Sequence, residues 1–482
     1  MEYEAVIGLE VHAQLKTATK IFCSCSTAFG AGPNEHTCPV CLGMPGVLPV
    51  LNRKAVEYGI KCGVALNCTI PEHSKFDRKN YFYPDLPKAY QVSQYDQPVC
   101  KEGYLMVGER KIRIHRAHLE EDAGKLVHAG AAGLHGSDYS LVDFNRSGVP
   151  LLEIVSEPDL RTPDEARLYL TELRNILRYL DVCDGNLEEG SFRCDANVSI
   201  RPKGEEKLGT KAEIKNMNSF KAVQRAIQSE IERQIGLVTR GERVVQETRL
   251  WNEATQSTFP MRSKEEAHDY RYFPEPDLVP LLVDQVWVDR VKRELPELPE
   301  ARRQRYITQN GLSHDDAAQL VENLELANFY DAAVKLGAPA KTASNFLLGP
   351  GLGYLNESKR GLAECRLSPQ NLKDVLETVS SGLLNSSTGK QVLLAILAMS
   401  AQDAEVSVAE YIQAKGLAQV SNEGELEAII KAILEKNPAQ LADYRSGKTK
   451  IRQFFVGEIM KATKGKANME VVNRLLDASL NQ

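Results

Sequence analysis

The chain has 482 residues, 43% of them apolar and 26% charged, with a formal net charge of −6. That length suits three domains of roughly 150 residues each, and the balance is that of an ordinary globular protein. An acidic total excludes wholesale coating of nucleic acid, though not a local basic surface. The stretch MEYEAVIGLEVHAQL carries neither a basic leader nor an apolar run of signal-peptide length, and nothing resembles a membrane span. A cytoplasmic location is expected, where ten cysteines do not form a disulfide scaffold.

In chain order, the opening strand alternates so that Glu10, His12 and Gln14 share one face and Val11, Ala13 and Leu15 the other. Two ligands spaced two residues apart on a strand can share one ion. Next come Cys23-Ser24-Cys25 and Cys38-Pro39-Val40-Cys41, the latter followed by Gly43 and Pro45 in a tight knuckle. Two thiolate pairs can close a tetrahedral sulfur cage around structural zinc. The other reading is reduced thiols or a redox pair, but redox chemistry needs only one Cys-x-x-Cys opening a helix. Cys62, Cys68, Cys100, Cys183, Cys194 and Cys365 read as buried thiols.

HLEEDAGKL, residues 118–126, sets three consecutive carboxylates before Lys125, and Glu153 lies inside the apolar run of residues 149–155. A solitary charge there is costly to bury unless paired or metal-bound. Thr162-Pro163-Asp164-Glu165 reads as an N-cap, a first-turn proline and a capping-box glutamate. Ala166, Tyr169, Leu170, Leu173, Ile176, Leu177 and Leu180 then form one helical stripe. In residues 191–200, Phe192, Cys194, Ala196, Val198 and Ile200 face one way and Ser191, Arg193, Asp195, Asn197 and Ser199 the other. Residues 211–220 project Lys211, Glu213 and Lys215 together, and a helix from about Ser219 to Ile235 follows, with Ala222, Ala226, Ile227, Ile231 and Ile235 as its buried edge. Mostly antiparallel strands with segregated helices predict an α+β class.

Near Pro296 the chain turns rich in Ala, Leu, Glu and Lys at helical spacing, and ELPELPEARRQRY reads as a linker entering helices. A second change falls at residues 401–408. The expected domains are 1–293, 294–405 and 406–482. Residues 441–466 hold Arg445, Lys448, Lys450, Arg452, Lys461, Lys464 and Lys466 against Asp443 and Glu458. On an acidic chain this local reversal favours phosphate binding over a solvated helix face. Phe454 and Phe455 between them read as core.

Familiar nucleotide and hydrolase motifs are missing. Gly447-Lys448-Thr449 has Ala442 where a P-loop needs its first glycine, and neither H-E-x-x-H nor G-x-S-x-G occurs. ATP would have to be held by Mg2+ on carboxylates together with lysines and arginines.

The blocks EYEAVIGLEVHAQL, CSC…CPVCLGMPGVLPVLN, KNYFYPDLPKAYQVSQYD, HLEEDAGK, DFNRSGVPLLEIVSEPD, EGSFRCDANVS, KAEIKNMNS and YRYFPEPDL run in order along the chain. Together they resemble the GatB family, the B subunits of tRNA-dependent aspartate/glutamate amidotransferases, and residues 447–468 resemble that family's YqeY-like tail. The resemblance implies a glutamine-synthetase-like catalytic cradle, then an all-α domain and a small all-α tail. It implies ATP-dependent phosphorylation of the carboxylate of Glu-tRNA(Gln) or Asp-tRNA(Asn), followed by amidation. It also implies a heterotrimer, in which an amidase partner hydrolyses glutamine to supply ammonia and a small third partner clasps the pair. By family position Glu10, His12, Glu121 and Glu153 are expected to ligate Mg2+, with Asp195 and Asn197 beside them. Lys79, Arg193, Lys211 and Lys215 are expected to contact phosphate; Lys448, Lys450, Arg452, Lys461, Lys464 and Lys466 are expected to grip tRNA. Cys23, Cys25, Cys38 and Cys41 would carry structural zinc. The competing reading is a zinc-stabilised tRNA-binding scaffold without catalysis.

Overall fold

Alternation over residues 3–14 produces strand β1 (Tyr3–Gln14), and the computed structural model sets it near the middle of an eight-stranded sheet. Residues 2–128, 139–261, 270–418, 423–463 and 467–480 are described. The other strands are β2 (Cys100–Val107), β3 (Arg110–Glu121), β4 (Pro150–Ser156), β5 (Phe192–Pro202), β6 (Ala212–Lys215), β7 (Thr248–Asn252) and β8 (Ser257–Pro260). Their order across the sheet is β8-β7-β6-β5-β1-β4-β3-β2. All neighbours are antiparallel except β6 and β7.

One face of the sheet is apolar. Leu9, Val11 and Ala13 of β1, Leu152 and Ile154 of β4, Ala117 and Leu119 of β3, and Phe192, Cys194 and Ala196 of β5 all belong to one buried core. Helices α1 (Arg53–Ala65), α2 (Pro163–Tyr179) and α3 (Phe220–Thr239) contribute the rest. Every residue of the α2 stripe is buried. Thr162 caps the helix by accepting from the Glu165 amide at 3.1 Å, but the Glu165 carboxylate takes the Arg161 amide instead of completing a capping box. In α3 the inward line differs from the apolar reading. Glu230 and Gln234 are fully buried, while Ile231 and Ile235 are half-buried. Partners make this possible: Arg233 pairs with Glu230 at 2.7 Å, and Gln234 Nε2 donates to the Val198 carbonyl at 3.0 Å.

Strand β3 does not keep one alternation throughout. Its pairing with β4 shifts register between Ile114 and Arg116, leaving His115 as an extra residue. Ile112 and Ile114 point into the core before this bulge, and Ala117 and Leu119 point into it afterwards. Even-numbered residues are inside first, odd-numbered ones later. The neighbouring β2 makes the matching adjustment at Glu102, whose φ is +53°. A bulge of this kind bends a strand and re-aims its side chains.

The chain divides into two compact units, Met1–Pro299 and Glu300–Gln482. The second unit is helical. Arg302, 7% exposed, donates to Asp331 at 2.7 Å and Asn328 at 2.8 Å. Helix Val408–Lys415 packs on helix Pro369–Ser380, and Asn371 Nδ2 donates to the Val406 carbonyl at 2.9 Å. A separate apolar core starts at Leu426 and joins Ile430, Phe455, Ile459, Val472 and Leu476.

At Gly63, α1 packs tightly against β2. A Cβ there would sit 2.4 Å from Cys100 Sγ and 2.6 Å from Ile70 Cδ1. Helix propensity alone would make Gly63→Ala stabilising by about 1 kcal/mol. Overpacking costs about 1–3 kcal/mol, so the variant is expected to unfold at a lower temperature than wild type in a thermal melt.

Candidate active site and metal centre

The face of the sheet opposite the core gathers charged side chains from five adjacent strands. Register aligns His12 of β1 with Glu153 of β4 on one side and Arg193 of β5 on the other, and aligns Glu153 in turn with His118 of β3. Glu10 lies opposite Asp195, and Asn197 opposite Glu213. His12 Nε2 stands 3.3 Å from Glu153 Oε2 and 3.8 Å from carboxylate oxygens of both Glu10 and Glu120. His118 Nε2 is 3.4 Å from the same Glu153 oxygen and 3.6 Å from Glu120 Oε2, which also accepts from Ser93 at 3.1 Å. Glu153 and Glu120 are buried, at 5% and 2% exposure.

Electrostatics follow from that crowding. Burial opposes ionisation of Glu153, but the charge and hydrogen bond of His118, with those of His12, hold it well below the usual carboxylate range. Glu120 is lowered too, against burial, by His118 and Lys79. Burial resists protonation of His12, yet Glu153, Glu120 and Glu10 together raise it to about 8. Glu10 moves upward because of burial and the nearby Glu153 charge. Lys79 Nζ lies 5.0 Å from the Tyr270 ring centroid and is held charged, despite burial, chiefly by Glu120.

His12, Glu120 and Glu153 each offer a ligand atom, all within 4.8 Å of one another, and Glu10, His12 and Asp195 form a second such set. The buried carboxylates suit a hard divalent cation such as Mg2+. The nitrogen of His12 is a poorer donor for that ion and already hydrogen-bonds Glu153. Glu121, expected among the ligands, faces the other way. Its Oε1 accepts from the Val92 amide at 2.8 Å and pairs with Lys88 at 2.5 Å, lining a cleft of about 190 Å³ beside the cysteine loop. The bulge in β3 is the reason: alternation counted from Ile112 and Ile114 puts Glu121 on the polar face, and the extra residue moves Glu120 there instead. Glu120 and His118, which the sequence reading did not name, stand on this face, and the apolar pair Ala117 and Leu119 was the signal available for placing them there.

The expected phosphate contacts divide. Lys215 pairs with Asp195 at 2.5 Å and Glu213 at 3.0 Å. Arg193 donates to Asp122 at 2.9 Å, and Gln14 reaches the same carboxylate at 2.7 Å. Asn197 shares the polar face of β5, and Lys211 is exposed just before β6.

The four cysteines expected to hold zinc converge, with their sulfurs all within 4.8 Å. Cys38 and Cys41 sulfurs are 3.9 Å apart, against about 3.8 Å for the edge of a tetrahedron with 2.3 Å Zn–S bonds. Lys20 is fully buried beside them, donating to the His36 and Phe144 carbonyls at 2.7 and 3.2 Å and to Cys41 Sγ at 3.6 Å. A buried ammonium requires an anion, and a set of thiolates supplies one. The sulfur cage therefore fits zinc.

In the tail, Arg452 is engaged internally, with Asp477 at 2.6 Å and Asn473 at 3.0 Å, so it is not free for phosphate. Lys448 pairs with Asp443 at 2.9 Å, Lys461 stands 3.8 Å from Glu458, and Arg445 and Lys450 are exposed. Lys464 and Lys466 lie outside the described residues. Phe455 is core as expected, whereas Phe454 is 40% exposed.

Residues 5–289 match the GatB/GatE catalytic domain, and residues 328–480 match the GatB domain that includes the YqeY-like region. The chain belongs to the GatB family. It is 54% identical over 480 residues to the aspartyl/glutamyl-tRNA(Asn/Gln) amidotransferase B subunit of Thermodesulfovibrio yellowstonii, covering 99% of both chains. The same subunit of Carboxydothermus hydrogenoformans is 54% identical with 98% of each chain covered, and that of Moorella thermoacetica is 54% identical with 100% covered. The catalytic-domain match of the GatB family thus spans the whole polar face and the cysteine cage. No helix among the described residues is long and apolar enough to cross a membrane.

Asp122 supplies a pH test of this face. Burial opposes its ionisation, but Arg193, Arg146 and Gln14 lower its pKa. A depressed carboxylate stabilises the fold above its unfolded pKa, about 3.9, and that contribution disappears as pH falls through the folded value. Asp122→Asn is expected to cost about 2 kcal/mol near neutrality, limited because Arg193 is 37% exposed. Denaturant melts at decreasing pH should bring the variant and wild type together below pH 4.

Proposed function

We propose that this chain is the component of a tRNA-dependent amidotransferase that activates and amidates the side-chain carboxylate of Glu-tRNA(Gln) or Asp-tRNA(Asn). The observation carrying the reading is the meeting of His12, Glu120 and Glu153 on one sheet face of a chain that matches its GatB relatives from end to end. A free carboxylate is a poor electrophile because attack must expel oxide. Transfer of the γ-phosphoryl group of ATP to a carboxylate oxygen releases ADP and leaves an acyl phosphate; ammonia then forms the amide bond while phosphate departs. Mg2+, when bound, supplies neutralising charge for phosphoryl transfer.

The residues of the chain divide that work. Glu120 and Glu153, with Glu10 and Asp195 alongside, provide the oxygen donors for the cation, and His12 orients Glu153 through its hydrogen bond. Lys79 and Lys215 place positive charge next to those carboxylates, where phosphate oxygens would lie. Ammonia requires a partner, since the sequence holds no glutaminase signature; an amidase partner, held in a heterotrimer by a small third chain, fits that need. The exposed Arg445, Lys450 and Lys461 of the tail support contact with tRNA phosphates. Zinc in the Cys23, Cys25, Cys38 and Cys41 cage would fix the loop beside the sheet.

The non-catalytic scaffold reading is not favoured. Its carboxylates would merely solvate a surface, and Glu120 and Glu153 are almost fully buried.

In the assembled enzyme with ATP, Mg2+ and Glu-tRNA(Gln), Glu153→Gln and Glu120→Gln are each expected to lower tRNA-dependent ADP release at least about 100-fold. Filter-binding affinity for the tRNA should change less than about threefold; full ADP release in either variant would sink the assignment. Metal analysis of freshly purified protein should find one zinc per chain, and Cys41→Ser should remove most of it. Less than half an equivalent in wild type would count against the cage.

A further inference from the structure

His118 has no role in the ligand set described above, yet it is placed more tightly than any other imidazole of the site. It is 3% exposed, and its Nε2 lies between the two buried carboxylates, 3.4 Å from Glu153 and 3.6 Å from Glu120. His12 approaches the same Oε2 of Glu153 from the opposite side at 3.3 Å. Two imidazoles therefore converge on a single oxygen. Cross-strand register fixes all three residues, because His12, Glu153 and His118 occupy paired positions on β1, β4 and β3. Nδ1 of His118 is buried with no hydrogen-bond partner, so the ring's polar contacts are those at Nε2.

We infer that His118 is a positioning residue, which holds the Glu153 and Glu120 carboxylates in the geometry that a divalent cation requires. The inference rests on the cation reading given above. It gives His118 a task distinct from that of His12: it touches two of the three members of the cluster from behind. Groups that hydrogen-bond metal-ligating side chains are worth about 10–100-fold in metal affinity.

The test uses Mn2+, a paramagnetic probe for the Mg2+ position, titrated into the full chain and followed by electron paramagnetic resonance. His118→Leu is expected to weaken Mn2+ binding about 10–100-fold. His118→Gln places an amide nitrogen near the Nε2 position and should recover most of the affinity, whereas His118→Asn, which mimics Nδ1, should not. In the assembled enzyme the Leu variant should need more Mg2+ for half-maximal rate while kcat at saturating Mg2+ falls less. Wild-type Mn2+ affinity in His118→Leu overturns the inference alone. Equal losses in the Leu, Gln and Asn variants, tracking a common drop in melting temperature, also overturn it by assigning the residue to packing. A wild-type chain that binds no Mn2+ overturns the cation reading and this inference together.

Discussion

A carboxylate set into an apolar strand governs the architecture of the first unit. Glu153 sits between Ile154 and Leu152, and dehydrating its charge costs several kcal/mol unless partners compensate. The partners are imidazoles on the two flanking strands, and they reach it only if β1, β4 and β3 are paired in one register. A one-residue slip would turn each side chain to the opposite face of the sheet. The apolar core demands the same register from below, since Val11, Ile154 and Ala117 line the helix-covered side. Core packing and charge pairing therefore select the same alignment.

Much of this was legible in the sequence because period-two alternation is a local property. Glu10 with His12, Arg193 with Asp195, and Glu213 with Lys215 all emerge on the polar side as read. The cysteine quartet was legible for another reason: thiols at close spacing have few uses in a chain without disulfides. Glu121 was expected by family position, and the bulge at Arg113-Ile114-His115-Arg116 instead sets Glu120 on the polar side and turns Glu121 toward the cleft. The inner line of α3 was misread. Glu230 and Gln234 look like solvent positions until Arg233 and the Val198 carbonyl are seen to satisfy them. Arg452 belongs to the same class, since its partners Asp477 and Asn473 come from a helix more than twenty residues away.

Lys20 anchors the cysteine loop of the first unit. Its ammonium is completely dehydrated, ties the carbonyls of His36 and Phe144 together, and faces Cys41. Four thiolates around Zn2+ carry a net charge of about −2, so a single buried cation offsets part of an otherwise expensive anion. Across the adjoining cleft, Lys88 performs a similar service for Glu121. The loop and the sheet thus meet through these charge pairs as well as through the apolar packing of Ile21 and Phe22.

The extra residue in β3 bears on how this protein tolerates change in its length. Between Ile114 and Ala117 the identities of the side chains matter little to the core, since His115 is turned outward toward Glu157. The pairing with β4 matters a great deal. Without the extra residue, Ile114, Arg116 and Ala117 would still stand opposite Ser156, Val155 and Ile154 in plain alternation, with Ala117 and Leu119 in the core and Glu120 on the polar side. The bulge is consequently a place where the strand absorbs a residue while everything beyond it keeps its face.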